Sequence, residues 1–393
     1  MYEEKLSIII PTRNRQYYAY RCVKTLLNKL SGDFEIVIHD NSDDNSLKNM
    51  LSDVLDDLRL KYSYESTTLS FCENFERSIL MSTGDYLIMI GDDDCVLPEI
   101  MDLVTEVRRK GIDSVLFPTC YTYYWPNSLK DNEGKLVIRK QNAFVKILST
   151  KDAIGSMKTV GNYDYQHYNF PKIYHGIVKR EKFDMVKNRT GHYFGGLTPD
   201  IYSAVALSFH IDRILYVNVP YTLPGICAKS GSADSLTGRH TGELSEAPHF
   251  RGHIDYHWDE DIPYIYSVDT IWAETAFKAI KECGETISLT DEEWFRFMIY
   301  IIRKSPVFKD RLAKMYAEKT KQSEDSILMR IEREIKKLDR RYWAKKIFSF
   351  AKQVCIGRYV HSGVEDIETA IDIIQRRKQN YENVQDMIRK ADW

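Results

Sequence analysis

An α/β protein is what this sequence predicts: an open sheet of largely parallel strands followed by a helical carboxyl-terminal extension. Three observations carry that expectation. Short apolar runs alternate with helical patterns over the first 120 residues. Polar and acidic residues gather just after the first, second and fourth of those runs. From about residue 263 onward the pattern turns helical.

Leu6 to Ile10 is continuously apolar and closes at Pro11. A run that short, ended by a turn signal, reads as a buried parallel strand. A helical pattern spans about Tyr17 to Leu30 and stops at Ser31-Gly32-Asp33. Phe34 to His39 is the second strand. The turn from Asp40 to Ser46 is rich in side chains that cap a helix starting near Ser46. A short strand near Lys61 to Glu65, a helix from about Phe71 to Ser82 and the strand Tyr86 to Ile90 follow. Gly91 and Asp92-Asp93-Asp94 end that strand. Pro98 opens the next helix in its first turn, and Ser114 to Pro118 is the fifth strand.

Strand and helix in alternation imply right-handed crossovers. Ligands of such sheets bind outside the carboxyl ends of the strands. Thr12, Arg15, Asp40, Asn41 and the acidic run, far apart in the chain, are therefore expected to converge. The stretch from about 119 to 260 is mixed and rich in Tyr, Gly and His. Two units follow from this texture: an α/β body over 1–260 and helices over 261–393.

The chain has 393 residues, with 55 Lys and Arg against 57 Asp and Glu. A net charge of −2 gives no global attraction to nucleic acid, so no nucleic-acid partner is expected. The seven cysteines are scattered, with no C-x-x-C pair and no zinc spacing, which points to buried free thiols in a reducing compartment. The opening residues lead at once into an apolar strand, and no run of 18 apolar residues occurs. Neither a secretory leader nor a spanning helix is expected, and a cytoplasmic location follows.

Asp92-Asp93-Asp94 puts three carboxylates at a strand end. Burying one unpaired carboxylate is costly, and three are tolerable only with a cation or in water. Hard ions such as Mn²⁺ or Mg²⁺ take carboxylate oxygens and keep positions free for phosphate. The other reading is a solvated acidic turn capping the next helix. A site at the sheet's carboxyl edge, with Thr12 and Asp40 nearby, favours the metal.

Three motifs, in order, then resemble a known family. They are P-T-R-N-R after the first strand, I-V-I-H-D-N-S at the second, and G-D-Y-L-I-M-I-G-D-D-D-C-V-L-P at the fourth. Together they look like a family 2 glycosyltransferase of GT-A fold, well over residues 5 to 120 and more loosely to 245. The resemblance implies a donor half over about 1–120 and an acceptor half over about 121–260. It implies that Pro11, Thr12, Arg13 and Arg15 line the donor nucleotide and that Asp40 and Asn41 contact its base or ribose. It gives the acidic run to the diphosphate and to Mn²⁺ or Mg²⁺. Counted back from Pro98, the family's first aspartate falls on Gly91 and its second on Asp93. Asp93 or Asp94 is then the direct ligand, with Asp92 toward the ribose or one layer behind the direct ligand. Asn74, on the preceding helix, faces the nucleotide or is an ordinary helix residue; Arg77 reads as the latter.

An inverting transfer to a hydroxyl needs one carboxylate base. Asp200, after Gly195-Gly196-Leu197-Thr198-Pro199, matches the family's position for it near a helix start. A carboxylate in a first helical turn is also favoured by the helix dipole alone. His175 is a candidate for an acceptor hydroxyl or for a structural hydrogen bond. The glycine-rich stretch from Pro224 to Gly242 resembles a loop that folds over the donor. Lys229, Ser230 and Arg239 are carried over to the diphosphate, and His240 to the metal shell.

The implied donor is a UDP-sugar and the implied acceptor a glycan or lipid-linked glycan, as in bacterial-type surface polysaccharide synthesis. A basic, aromatic-rich helical stretch over 327–360 is compatible with an anionic membrane surface or with packing on the body. Two other functions are weighed. A nucleotidyltransferase needs a glycine-rich loop that Pro11–Arg15 lacks, and a non-catalytic scaffold does not need four such carboxylates.

Overall fold

The computed structural model describes residues 2–228, 241–244, 247–252, 256–355, 357–377, 381–391 and 393; at 241 and over 341–355 only the backbone is described. The first elements are β1 (Glu3–Thr12), α1 (Gln16–Lys29), β2 (Phe34–Asp40), α2 (Ser46–Met50), β3 (Leu60–Tyr64), α3 (Phe71–Met81), β4 (Gly84–Met89), β5 (Cys95–Val96), α4 (Ile100–Lys110) and β6 (Ser114–Leu116). Next come β7 (Tyr121–Tyr124), β8 (Lys135–Arg139), β9 (Val145–Ser149), α5 (Ala153–Val160), β10 (Gly176–Lys179), α6 (Arg180–Thr190), α7 (Pro199–Leu207), β11 (Arg213–Val217), β12 (Thr222–Leu223) and β13 (Gly225–Ile226). The last third holds β14 (Thr241–Gly242), β15 (Tyr266–Ser267), α8 (Val268–Glu282), α9 (Asp291–Lys304), α10 (Lys309–Thr320), α11 (Glu324–Cys355), β16 (Arg358–His361), α12 (Ile367–Gln375) and α13 (Tyr381–Lys390).

The central sheet has eight strands in the order β3-β2-β1-β4-β10-β6-β11-β9. β1 to β4 are mutually parallel, as the alternation of strand and helix predicts. The fifth expected strand, β6, does not sit beside β4. β10 comes between them and runs antiparallel to both, so the sheet is mixed. The linker of residues 162–175 delivers β10 from beyond α5, which no local pattern announces.

Side chains on successive strand residues point to opposite faces, so a continuously apolar strand feeds two cores. Ile8, Ile10, Ile36, Ile38, Ile88 and Ile90 join one core. Ile9, Val37, Leu87 and Met89 join the other, with α6, α7, α8 and α9. The six cysteines whose side chains are described are buried and form no disulfide with one another.

The carboxyl-terminal segment does not stay with the helices that precede it. Val364, Ile367, Ile371, Ile374, Val384 and Ile388 lie in the first core, beside the residues of α1 and α4. β16 pairs with β8, and Lys29 meets Asp372 at 2.6 Å. Residues 358–393 thus clasp the first half of the chain. On α11, Ile327 and Ile331 are fully buried in the second core, with Ile335 and Leu338 against it. Arg330 stacks on Phe295 and pairs with Glu292. Over this half of the basic stretch the apolar stripe faces protein. Among the described residues no helix is long and apolar enough to cross a membrane.

Candidate active site

Parallel register aligns the strand ends. Thr12 lies opposite Asp40, and Ile9 opposite Met89, so the acidic run emerges beside Thr12. The Thr12 hydroxyl donates to Asp92 Oδ2 at 2.5 Å, and Arg15 Nε donates to the same oxygen at 3.1 Å. The guanidinium also stands 2.9 Å from Asp92 Oδ1 and 3.4 Å from Asp93 Oδ1. The expected convergence of Thr12, Arg15 and the acidic run is therefore present.

The three aspartates have different surroundings. Asp94 is saturated. Its Oδ2 accepts from the Gly91 amide at 2.7 Å, the Tyr174 hydroxyl at 3.2 Å and His175 Nε2 at 3.1 Å. Its Oδ1 accepts from the Gly225 amide at 2.7 Å. Asp93 Oδ2 accepts from the Cys227 amide at 3.2 Å, and the Asp93 carbonyl accepts from Trp125 Nε1 at 3.0 Å. β12 pairs with β5 and brings the start of the glycine-rich stretch against the run. A Cβ on Gly225 would stand 1.7 Å from the Asp93 carbonyl oxygen, so only glycine fits there.

Burial, reinforced by Asp93, pushes the Asp92 carboxyl up to about 7 against the pull of Arg15. Burial likewise raises Asp93. Asp94 is equally buried, yet His175 and two backbone amides hold it below the ordinary carboxylate range.

At the end of β2, Asp40 is fully buried, accepting from the Ser42 amide at 3.0 Å and the Tyr62 hydroxyl at 2.9 Å. Asn41 donates to the carbonyls of Glu65 and Thr67. Arg13 bridges the Asn41 carbonyl and Asp43, tying the ends of β1 and β2 together. Asn74 donates to the Thr12 carbonyl at 3.2 Å and its Oδ1 meets His39 at 2.8 Å, which braces β1 from α3. Pro11 pairs in register with His39. Asp40 and Asn41 thus reach the same sheet edge as the acidic run, with their polar atoms engaged by protein.

Asp200 lies in the first turn of α7, behind Pro199, and is partly exposed. Tyr165 donates to its Oδ2 at 3.1 Å, and burial raises its pKa. His175 commits both ring nitrogens within the protein, Nε2 to Asp94 and Nδ1 to Thr222 at 2.9 Å. Of its two expected roles, the geometry supplies the structural one. Lys229, Ser230, Arg239 and His240 lie outside the described residues.

Sequence reading missed Tyr165, Lys172, Tyr174, Trp125 and Cys227. Lys172 and Tyr174 flank the buried Ile173 in Lys172-Ile173-Tyr174. No periodic signal marks them, because the linker turns at Tyr165–His167 and bends at Ile173.

Among the described residues no three His, Cys, Asp or Glu side chains converge as a metal-ligand set. Two carboxylates are enough when a diphosphate and waters complete the shell. Asp92 Oδ1 is buried with no donor aligned on it, and Asp93 Oδ1 has only the long contact to Arg15. These two oxygens, hard donors on one side of the run, fit Mn²⁺ or Mg²⁺. Asp94, with its four donors, does not offer a free oxygen.

Sheet order, a carboxyl edge carrying the acidic run, and carboxyl-terminal helices define the class as a GT-A-type α/β fold. The model of the family described as Glycosyl transferase family 2 matches residues 7–194, and this part of the chain belongs to that family. Similar curated proteins include the GalNAc(5)-diNAcBac-PP-undecaprenol beta-1,3-glucosyltransferase of Campylobacter jejuni. It is 25% identical over 134 residues, covering 34% of this chain and 40% of that protein. Glycosyltransferase GlyG of Streptococcus pneumoniae is 21% identical over 193 residues, covering 49% and 62%. The chain spans less than two thirds of the length of these relatives. Among solved structures, S. aureus TarS 1-349 in complex with UDP-GlcNAc aligns with 16% identity over 78% of this chain and 75% of that one, at a TM-score of 0.47.

Proposed function

We propose that the chain is an inverting, divalent-metal-dependent glycosyltransferase. It moves a sugar from a nucleotide diphosphate donor, UDP by the family resemblance, to a hydroxyl of a glycan or lipid-linked glycan in polysaccharide synthesis. The name of the Campylobacter relative specifies an undecaprenol-linked acceptor, and that class is taken for this chain. The observation that carries the reading is the buried acidic run at the sheet edge, joined through residues 162–175 to a second, partly exposed carboxylate at Asp200.

Asp92 and Asp93 would hold Mn²⁺ or Mg²⁺, which supplies positive charge to the diphosphate as it leaves. Arg15, already against both carboxylates, is a second cation beside that oxygen set. Thr12 orients Asp92, and Asp94 locks the loop so that Asp92 and Asp93 stay aimed. Asp200 accepts the proton of the acceptor hydroxyl as that oxygen bonds to the anomeric carbon and the bond to the diphosphate breaks. Its raised pKa brings it closer to the working pH, where a general base is most effective. The donor-binding set is Pro11, Thr12, Arg13, Arg15, Asp40, Asn41 and Asn74, with Lys229, Ser230 and Arg239 proposed from the loop resemblance.

UDP release from a panel of UDP-sugars, with Mn²⁺ or with EDTA, tests the reading. EDTA and Asp93→Asn are each expected to lower the rate about 100-fold or more. A rate that neither EDTA nor Asp93→Asn changes would exclude the metal.

A further inference from the structure

Residues 162–175 lead from α5 to β10 and carry one group to each carboxylate site. Tyr174 reaches Asp94, and Tyr165 reaches Asp200 Oδ2 at 3.1 Å. The Tyr165 ring is held on two sides. Trp272 of α8 meets it edge-on at 5.8 Å between centroids, and Lys172 Nζ lies 5.3 Å from its centroid. Among the described residues Lys172 has no carboxylate within ion-pair distance. Its ammonium is thus held, in a largely buried position, on the ring of the same phenol that reaches Asp200. Leaving a cation there costs free energy, and the charges that offset it are Asp164 and then Asp200.

We propose that Tyr165 and Lys172 are positioning residues for Asp200: the phenol fixes the orientation of the carboxylate, and the ammonium, seated on the phenol's ring, helps keep that carboxylate ionised. The proposal rests on the reading of Asp200 as the base, and it names what allows a carboxylate to serve as a base there. The other groups that act on this carboxylate are the Ile201 amide, which favours its charge, and Asp164, which opposes it. Cys72 stays a thiol, because burial and then Asp200 raise its pKa. Burial lowers Lys172 to about 8, with Asp164 and Asp200 pulling the other way, so it is still largely charged at neutral pH. Without the phenol and the ammonium, the carboxyl would stay protonated to higher pH and could not accept a proton.

The test is a carboxyl ¹³C NMR titration of the full chain, with Asp200 assigned as the resonance lost in Asp200→Asn. Its midpoint is expected to rise by about one unit in Tyr165→Phe and by about half a unit in Lys172→Met, and to return in Lys172→Arg. Lys172→Gln replaces Lys172→Met if that variant does not fold, as judged by near-ultraviolet circular dichroism. A midpoint that stays in place in both folded variants overturns the proposal. UDP release by Asp200→Asn tests the base separately. If that rate equals wild type, the base reading fails while the titration still decides whether the pair governs the carboxylate.

Discussion

Asp94 and Asp200 are both carboxylates withdrawn from water, and their surroundings push them opposite ways. Asp94 accepts from two backbone amides, a tyrosine and a histidine, and stays below the usual carboxylate range. Asp200 has one side-chain donor within hydrogen-bond distance, and burial raises it despite that donor and the Ile201 amide. A carboxylate held by four donors is a strut, because both of its oxygens are already engaged. An undersatisfied one retains an appetite for a proton, which is what a base requires. The acidic run repeats the contrast within three residues: Asp94 is fixed by four donors, whereas Asp92 and Asp93, both raised, share one arginine and are otherwise met by the Thr12 hydroxyl and by Cys227 respectively.

The largest expected effect tests the reactive member of the comparison. Asp200→Asn should lower the rate of sugar transfer about 1,000-fold while UDP binding, followed by calorimetry, is unchanged. Weaker UDP binding in that variant would make Asp200 part of the donor site instead. Next comes the strut. Asp94→Ala strands four donors, and its chemical denaturation should report a loss of about 3–5 kcal/mol. A loss under about 1 kcal/mol would mean that the Gly91 and Gly225 amides have other partners. Gly225→Ala must push the Asp93 carbonyl away, and a cost of about 1–3 kcal/mol is expected, with weakened donor binding.

The smallest effect has the opposite sign. The folded-state pKa of Asp200 is raised, so its ionisation disfavours the fold once pH passes the unfolded value, and fully so above the folded value. Asp200→Asn should therefore melt about 1–2 °C higher than wild type at pH 7.5 and show no gain near pH 3.5. A gain that is the same at both pH values would trace to packing, and the contrast with Asp94 would lose its electrostatic basis.

Much of the first half was legible because its signals are local. Five short strand signals, the turn at Asp40 and the Pro98 helix start each depend on a few neighbouring residues, and β1 to β4 and β6 stand where those signals are. The convergence of Thr12, Arg15 and Asp92 followed from one further rule, that parallel strands end on one edge. The insertion of β10 between β4 and β6, and the clasp of residues 358–393 over α1 and α4, were not legible. Both are long-range pairings of segments whose local patterns are compatible with several neighbours.

The same division runs through the site. The amino-acid sequence alone determined which residues could do chemistry: three consecutive aspartates at a strand end, and one more behind Thr198-Pro199. Only the tertiary structure decided which of the three stays free. The donors that saturate Asp94 come from positions 91, 174, 175 and 225, and the phenol on Asp200 comes from 165. Hydrogen bonds and burial are properties of neighbours in space, and a carboxylate's charge depends on them more than on its place in the chain.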